Sequence, residues 1–126
     1  MADELDWDPI RALARQVLRD GAPWILTADV RELLTRTARE VGISHADAAS
    51  ALASDTSALE LLRECSRRIS EGSSRMVDSL HRMYQHKRAG DFDSARQEMR
   101  DVLAVEVVPH YRAVAQGQLN LLDDEP

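Results

Sequence analysis

ECSRRIS (64–70), EGSSRMV (71–77) and DSLHRMY (78–84) are three consecutive seven-residue units of one pattern. Each opens with an acid: Glu64, Glu71 and Asp78. Each carries Arg at its fifth place (Arg68, Arg75, Arg82) and an apolar residue at its sixth (Ile69, Met76, Met83). Residues four apart are neighbours on a helix surface, and an acid preceding a base is the favourable order, worth about 0.2–0.5 kcal/mol per pair. The arginine stripe therefore reads as a self-paired, solvated face. Around it, Leu59, Leu62, Ser66, Ile69, Ser73, Met76, Leu80 and Met83 form a seam of alternating three- and four-residue steps. A strict repeat of seven suits a helix packed at a shallow left-handed angle. The small Ser66 and Ser73 in the seam would admit a neighbouring helix closely.

Gly72 costs about 1 kcal/mol in a helix interior, but the phase of the repeat holds on both sides of it. The pattern predicts one helix over about 57–88, on the order of 48 Å long at 1.5 Å per residue. A compact domain of this size, with a gyration radius of about 13 Å per 100 residues, leaves part of such a rod uncovered.

Upstream, Pro9 sits where a helix tolerates it, in the first turn, and Ile10, Leu13, Val17 and Leu18 follow at helical spacing until Gly21 and Pro23. Trp7 and Trp24 bracket this helix as anchors at its two ends. A second helix follows Thr27, a good N-cap, and stops at Gly42. Ser44 and Asp47 form a capping-box variant opening a short third helix that ends near Ala53.

Downstream, Ala89-Gly90-Asp91 turns the chain. The stretch AGDFDSARQEM resembles the turn of a single tetratricopeptide unit, but one unit makes no array, and what remains is a helix hairpin. The last helix runs from about Asp93 with Ala95, Met99, Val102, Leu103, Val107 and Val108 inward. Pro109 must kink or divide it, because it cannot donate to Val105 and its ring crowds that carbonyl. The predicted fold is all-α: three shorter N-terminal helices, one long central helix and a Pro-kinked C-terminal helix in a hairpin with it. The whole of 1–126 reads as one domain with frayed ends at about 1–5 and 122–126.

Composition agrees. Ala, Leu and Arg, all strong helix formers, number 17, 15 and 15 of 126 residues, against nine Val and four Ile. A β-sandwich or barrel would want β-branched and aromatic residues, and only 4% are aromatic. The net charge of −6 is uneven: residues 1–56 carry −4, 57–90 carry +3 and 91–126 carry −5. An acidic chain is repelled by nucleic acid and anionic membranes unless one face is locally basic. The single Cys65 forms no intrachain disulfide, no basic-then-apolar leader opens the chain, and no apolar run approaches the roughly 20 residues of a membrane span. The expectation is a cytoplasmic protein without membrane attachment.

No residue set reads as catalytic, cofactor-binding or metal-ligating, so the chain is expected to be neither an enzyme nor a cofactor carrier. Asp78/His81 and Glu106/His110 each share a helix face, yet no E-x-x-H motif of a di-iron bundle is present. Glu106, a lone acid within VLAVEVV, reads as a partner of His110 or of a neighbouring Arg. Its functional alternative is a carboxyl whose pKa is raised by an apolar pocket. TAREVGISHADAASAL (37–52) looks like a helix-turn-helix core, but His45, Ala46, Asp47 and Ala48 stand where a recognition helix needs Arg, Lys, Asn or Gln.

Several stretches together resemble the DUSAM domain, a set of uncharacterised paralogous proteins of myxobacteria. They are DWDPIRALARQVL (6–18), GAPWILTADVRELL (21–34) and RMYQHKRAGDFDSARQEMRDVLAVEVVPHYR (82–112), within about 5–122 overall. The resemblance implies a short, helical, cytoplasmic domain and supplies no activity, cofactor or catalytic residue.

The resulting expectation is a non-enzymatic protein-interaction or regulatory module, with a homodimer as one form of it. Its surface is expected to be the seam Leu59, Leu62, Ile69, Met76, Leu80 and Met83, with Arg63, Arg67, Lys87 and Arg88 as bases free for an acidic partner. The alternative is a DNA-binding regulator using residues 37–53, against which the charge balance weighs.

Overall fold

In the computed structural model, which describes residues 5–124, every regular element is helical. The α-helices are α1 (Asp8–Ala14), α2 (Ala28–Glu40), α3 (His45–Ala51), α4 (Asp55–Arg88), α5 (Phe92–Val105) and α6 (Pro109–Asp123). Packing divides the chain into two compact units, Met1–Arg67 and Arg68–Pro126, and α4 contributes a segment to each.

In the first unit, α1 starts with Asp8 and Pro9 and then widens into a π turn over Arg15–Arg19, closed by Asp20 N–H to the Arg15 carbonyl at 3.0 Å. Thr27 caps α2 by accepting from Val30 N–H at 3.1 Å, and Ser44 caps α3 by accepting from Asp47 N–H at 3.1 Å. Between them Gly42, at φ +85°, ends α2 with two reversed bonds, Ile43 N–H to Ala38 and Gly42 N–H to Arg39. Trp7 is buried, and Trp24 donates its indole N–H to the Asp55 carbonyl at 2.8 Å, fastening the α1–α2 connection to the start of α4. The third helix closes at Ala51, two residues earlier than its composition suggests.

In the second unit the same C-terminal device ends α4: Gly90, at φ +78°, lets Asp91 N–H reach the His86 carbonyl at 2.9 Å. Asp91 then opens α5 by accepting from Ser94 N–H at 3.1 Å. Ala95, Met99 and Val102 of α5 and Tyr111, Ala115, Leu119 and Leu122 of α6 are buried at helical spacing, and the two helices pack as a hairpin.

Pro109 divides the last helix rather than kinking it. Glu106 leaves the helix with ψ 133°, and Pro109 takes the first position of α6, where no N–H is needed. The break resets the helical phase, so Val107, expected inward, is 51% exposed, whereas Val108 is fully buried. Of the ends expected to fray, residues 1–4 and 125–126 lie outside the described residues, while α6 itself continues through Asp123. Arg96 holds that end, donating to the Leu122 carbonyl at 2.8 Å and pairing with Asp123 at 3.2 Å.

Candidate functional site

Two faces of the second-unit part of α4 organise what this region does, one turned to its own hairpin and one to solvent.

The inward face carries Gly72. A Cβ at this position would overlap ring carbons of Tyr111 and stand 3.0 Å from a Glu106 carboxylate oxygen. Glycine is thus the residue that lets α6 approach; the closely packed position is Gly72, not the half-buried Ser73 of the seam. The Tyr111 hydroxyl donates to the Ile69 carbonyl at 3.0 Å. Arg75 pairs with Glu106 at 2.6 Å, and the other Glu106 oxygen accepts from Val107 and Val108 N–H, each at 3.0 Å. Arg112 covers the opposite side of the break, donating to the carbonyls of Leu103 at 2.7 Å and Glu106 at 2.9 Å. A helix break in a protein interior leaves backbone donors and acceptors that must be satisfied, and these two charged side chains satisfy them. Glu106 therefore pairs with an arginine, as one of its sequence readings has it. With both oxygens engaged, its carboxylate serves structure.

Two arginines of the stripe reach beyond their own helix. Arg75 reaches Glu106, 31 residues away, and Arg82 reaches Glu98 of α5 at 2.8 Å. The Glu98 hydrogen bond, then its charge, raises the Arg82 pKa above its ordinary value, with Asp78 a smaller contributor. Arg75 and Arg82 thus tie α4 to the segments that follow it, because a long guanidinium reaches a carboxylate on a packed neighbour as easily as one a turn away.

The residues of the expected partner-binding seam lie mostly inside the protein. Leu62, Ile69, Met76 and Met83 are each at most 5% exposed, and Leu59 and Leu80 are half-buried. Apolar surface at this spacing is covered within the protein itself, because burial of each such side chain stabilises by about 1.5–3 kcal/mol. Of the four bases expected to be free, all are exposed, but Arg67 is bound by Glu64 at 2.6 Å. Arg63 lies in the first unit, and Lys87 and Arg88 lie in the second.

The outward face gathers residues that the seam reading passed over. His81, Tyr84, Lys87 and Arg88 line one shallow groove. Tyr84 is 46% exposed, and Val77, two helical turns before it, is 64% exposed. His81, Lys87 and Arg88 have no ion-pair or hydrogen-bond partner among the described residues, in contrast to Arg75, Arg82 and Arg96 of the same unit. A signal for this face was present: Val77 and Tyr84 hold the seventh place of the second and third heptad units, directly after the buried sixth-place methionines.

Among the described residues no group of three or more His, Cys, Asp or Glu is arranged to hold a metal ion, and no helix is long and apolar enough to cross a membrane. Asp78 and His81 belong to no such group, and Cys65 is buried.

The architecture, helical throughout the described residues, makes this an all-α protein. Over residues 5–122 it matches, and it belongs to, the family described as protein of unknown function DUF2379. No curated protein and no solved structure matches it.

Proposed function

We propose that this protein is a non-enzymatic interaction or regulatory module of the cytoplasm, and that it engages a protein partner through the outward face of α4. The carrying observation is the groove of His81, Tyr84, Lys87 and Arg88, in which Lys87 and Arg88 have no ion-pair partner among the described residues although the chain as a whole is acidic. An unpaired basic cluster beside an exposed tyrosine and valine combines the two elements of a recognition surface, charge for steering and an apolar anchor for affinity. The finer placement in the DUSAM set belongs to the same proposal; the family membership is compatible with it, and neither brings a reaction with it.

A photo-crosslinking residue at position 84 tests this reading in native lysate. The expected result is a discrete crosslinked protein that disappears when Lys87→Glu and Arg88→Glu are combined. A lysate without adducts, or adducts indifferent to the charge reversal, overturns it.

The DNA-binding alternative would use α2, the Gly42 turn and α3, which follow one another as helix, turn and helix. Its second helix spans only seven residues and presents His45, Ala46, Asp47, Ala49 and Ser50 to solvent, with no Arg, Lys, Asn or Gln to read a base edge. A mobility-shift titration at low salt decides it: retardation that weakens with added salt supports it, and no retardation ends it.

A further inference from the structure

We propose that the occupant of the α4 outer face is a second copy of this chain, which lays the acidic end of its own α6 there. This rests on the reading of that face as a protein-docking surface and names its partner. The end of α6 has the complementary features. Leu121 is 61% exposed and is followed one turn later by the exposed Asp124, in a segment 91–126 of net charge −5. On α4, Tyr84 is followed one turn later by Lys87 and Arg88, in a segment 57–90 of net charge +3. Both surfaces thus place an exposed apolar anchor next to charge at the same i,i+3 spacing, and the charges are opposite. Residues three apart on a helix lie about 4.5 Å apart along its axis, so anchor can meet anchor while base meets acid.

The contact is intermolecular because the α6 end is already committed within its own unit. Arg96 holds the Leu122 carbonyl at 2.8 Å and the Asp123 carboxylate at 3.2 Å. Folding that end over its own α4 face would break both bonds, and among the described residues Lys87 and Arg88 have no ion-pair or hydrogen-bond partner. Each copy carries both surfaces, and a two-fold arrangement that pairs them reciprocally is the closed form of this contact.

Sedimentation velocity of the full chain, from micromolar to several hundred micromolar, tests this at low and high salt. The expected result is a dimer at low salt that dissociates as salt screens the charges. Lys87→Glu with Arg88→Glu weakens it by about tenfold or more, equivalent to about 1.4 kcal/mol. Adding Asp124→Lys to that double variant restores association, while circular dichroism shows that each variant keeps its helices. A monomer throughout at low salt, a dimer unmoved by the Lys87/Arg88 reversal, or no rescue by Asp124→Lys overturns the proposal. If the dimer fails but the position-84 crosslinker still captures a different protein in a charge-dependent way, the docking surface stands and only the self-partner falls.

Discussion

The guanidinium of Arg75 stands 2.6 Å from the Glu106 carboxylate and links the middle of α4 to the three-residue break between α5 and α6. The pair is asymmetric: the Glu106 side chain is 1% exposed and that of Arg75 is 31% exposed. If Glu106 is replaced, Arg75 turns to water; if Arg75 is replaced, a buried carboxylate is left with two backbone N–H groups as its only described hydrogen-bond donors. A stranded buried charge costs more than a stranded exposed one. Urea unfolding is therefore expected to show Arg75→Ala destabilised by about 3–4 kcal/mol and Glu106→Gln by about 1–3 kcal/mol. Equal losses, or the reverse order, would contradict this account of the break.

Glycine-to-alanine substitution should have opposite signs at two helical positions. At Gly72 the added methyl meets the Tyr111 ring, and overpacking costs about 1–3 kcal/mol. At Gly117, exposed on α6, a Cβ meets nothing within 4 Å, and the helix gains about 0.5–1 kcal/mol. Combining Gly72→Ala with Tyr111→Leu should give less than the sum of the two single losses, because one removes the obstacle the other meets.

Along α4, truncation separates the two faces energetically. Met83→Ala, at 1% exposure, is expected to cost about 2–4 kcal/mol, whereas Val77→Ala, at 64% exposure, stays within about 0.5 kcal/mol. Similar losses at both sites would mean that Val77 is covered in solution, and a concentration-dependent loss at Val77 would mark it as an interface residue.

Asp91 makes the α4–α5 turn sensitive to acid. The hydrogen bond from the Ser94 hydroxyl, then that from the Ser94 N–H, holds its carboxyl below the ordinary aspartate value. A carboxyl lowered by folding stabilises the folded state above its unfolded pKa, and that contribution disappears as pH falls through the folded value. Wild type should exceed Asp91→Ala in thermal midpoint at pH 6, and the gap should narrow only below about pH 4, near the unfolded aspartate pKa. A gap unchanged down to pH 2 would show that the ionised carboxylate is not what caps α5.

The heptad units at 64–84, the caps Thr27, Ser44 and Asp91, and the stops Gly42 and Gly90 together determined the helices, because each rests on bonds within one turn or on a local backbone angle. The continuity of α4 through Gly72 was likewise legible from the unbroken seven-residue phase. Partners were not. Glu106 lies 31 residues from Arg75, and Glu98 lies 16 from Arg82, so no local spacing distinguishes them from the acids one turn away. Only the tertiary structure decided that Gly72 is the contact point for Tyr111, that Pro109 divides rather than bends, and that Leu62, Ile69, Met76 and Met83 are interior. Secondary structure follows from short-range geometry written in the chain. Which face is covered, and so which face is left for a partner, follows from helices that meet only after they fold.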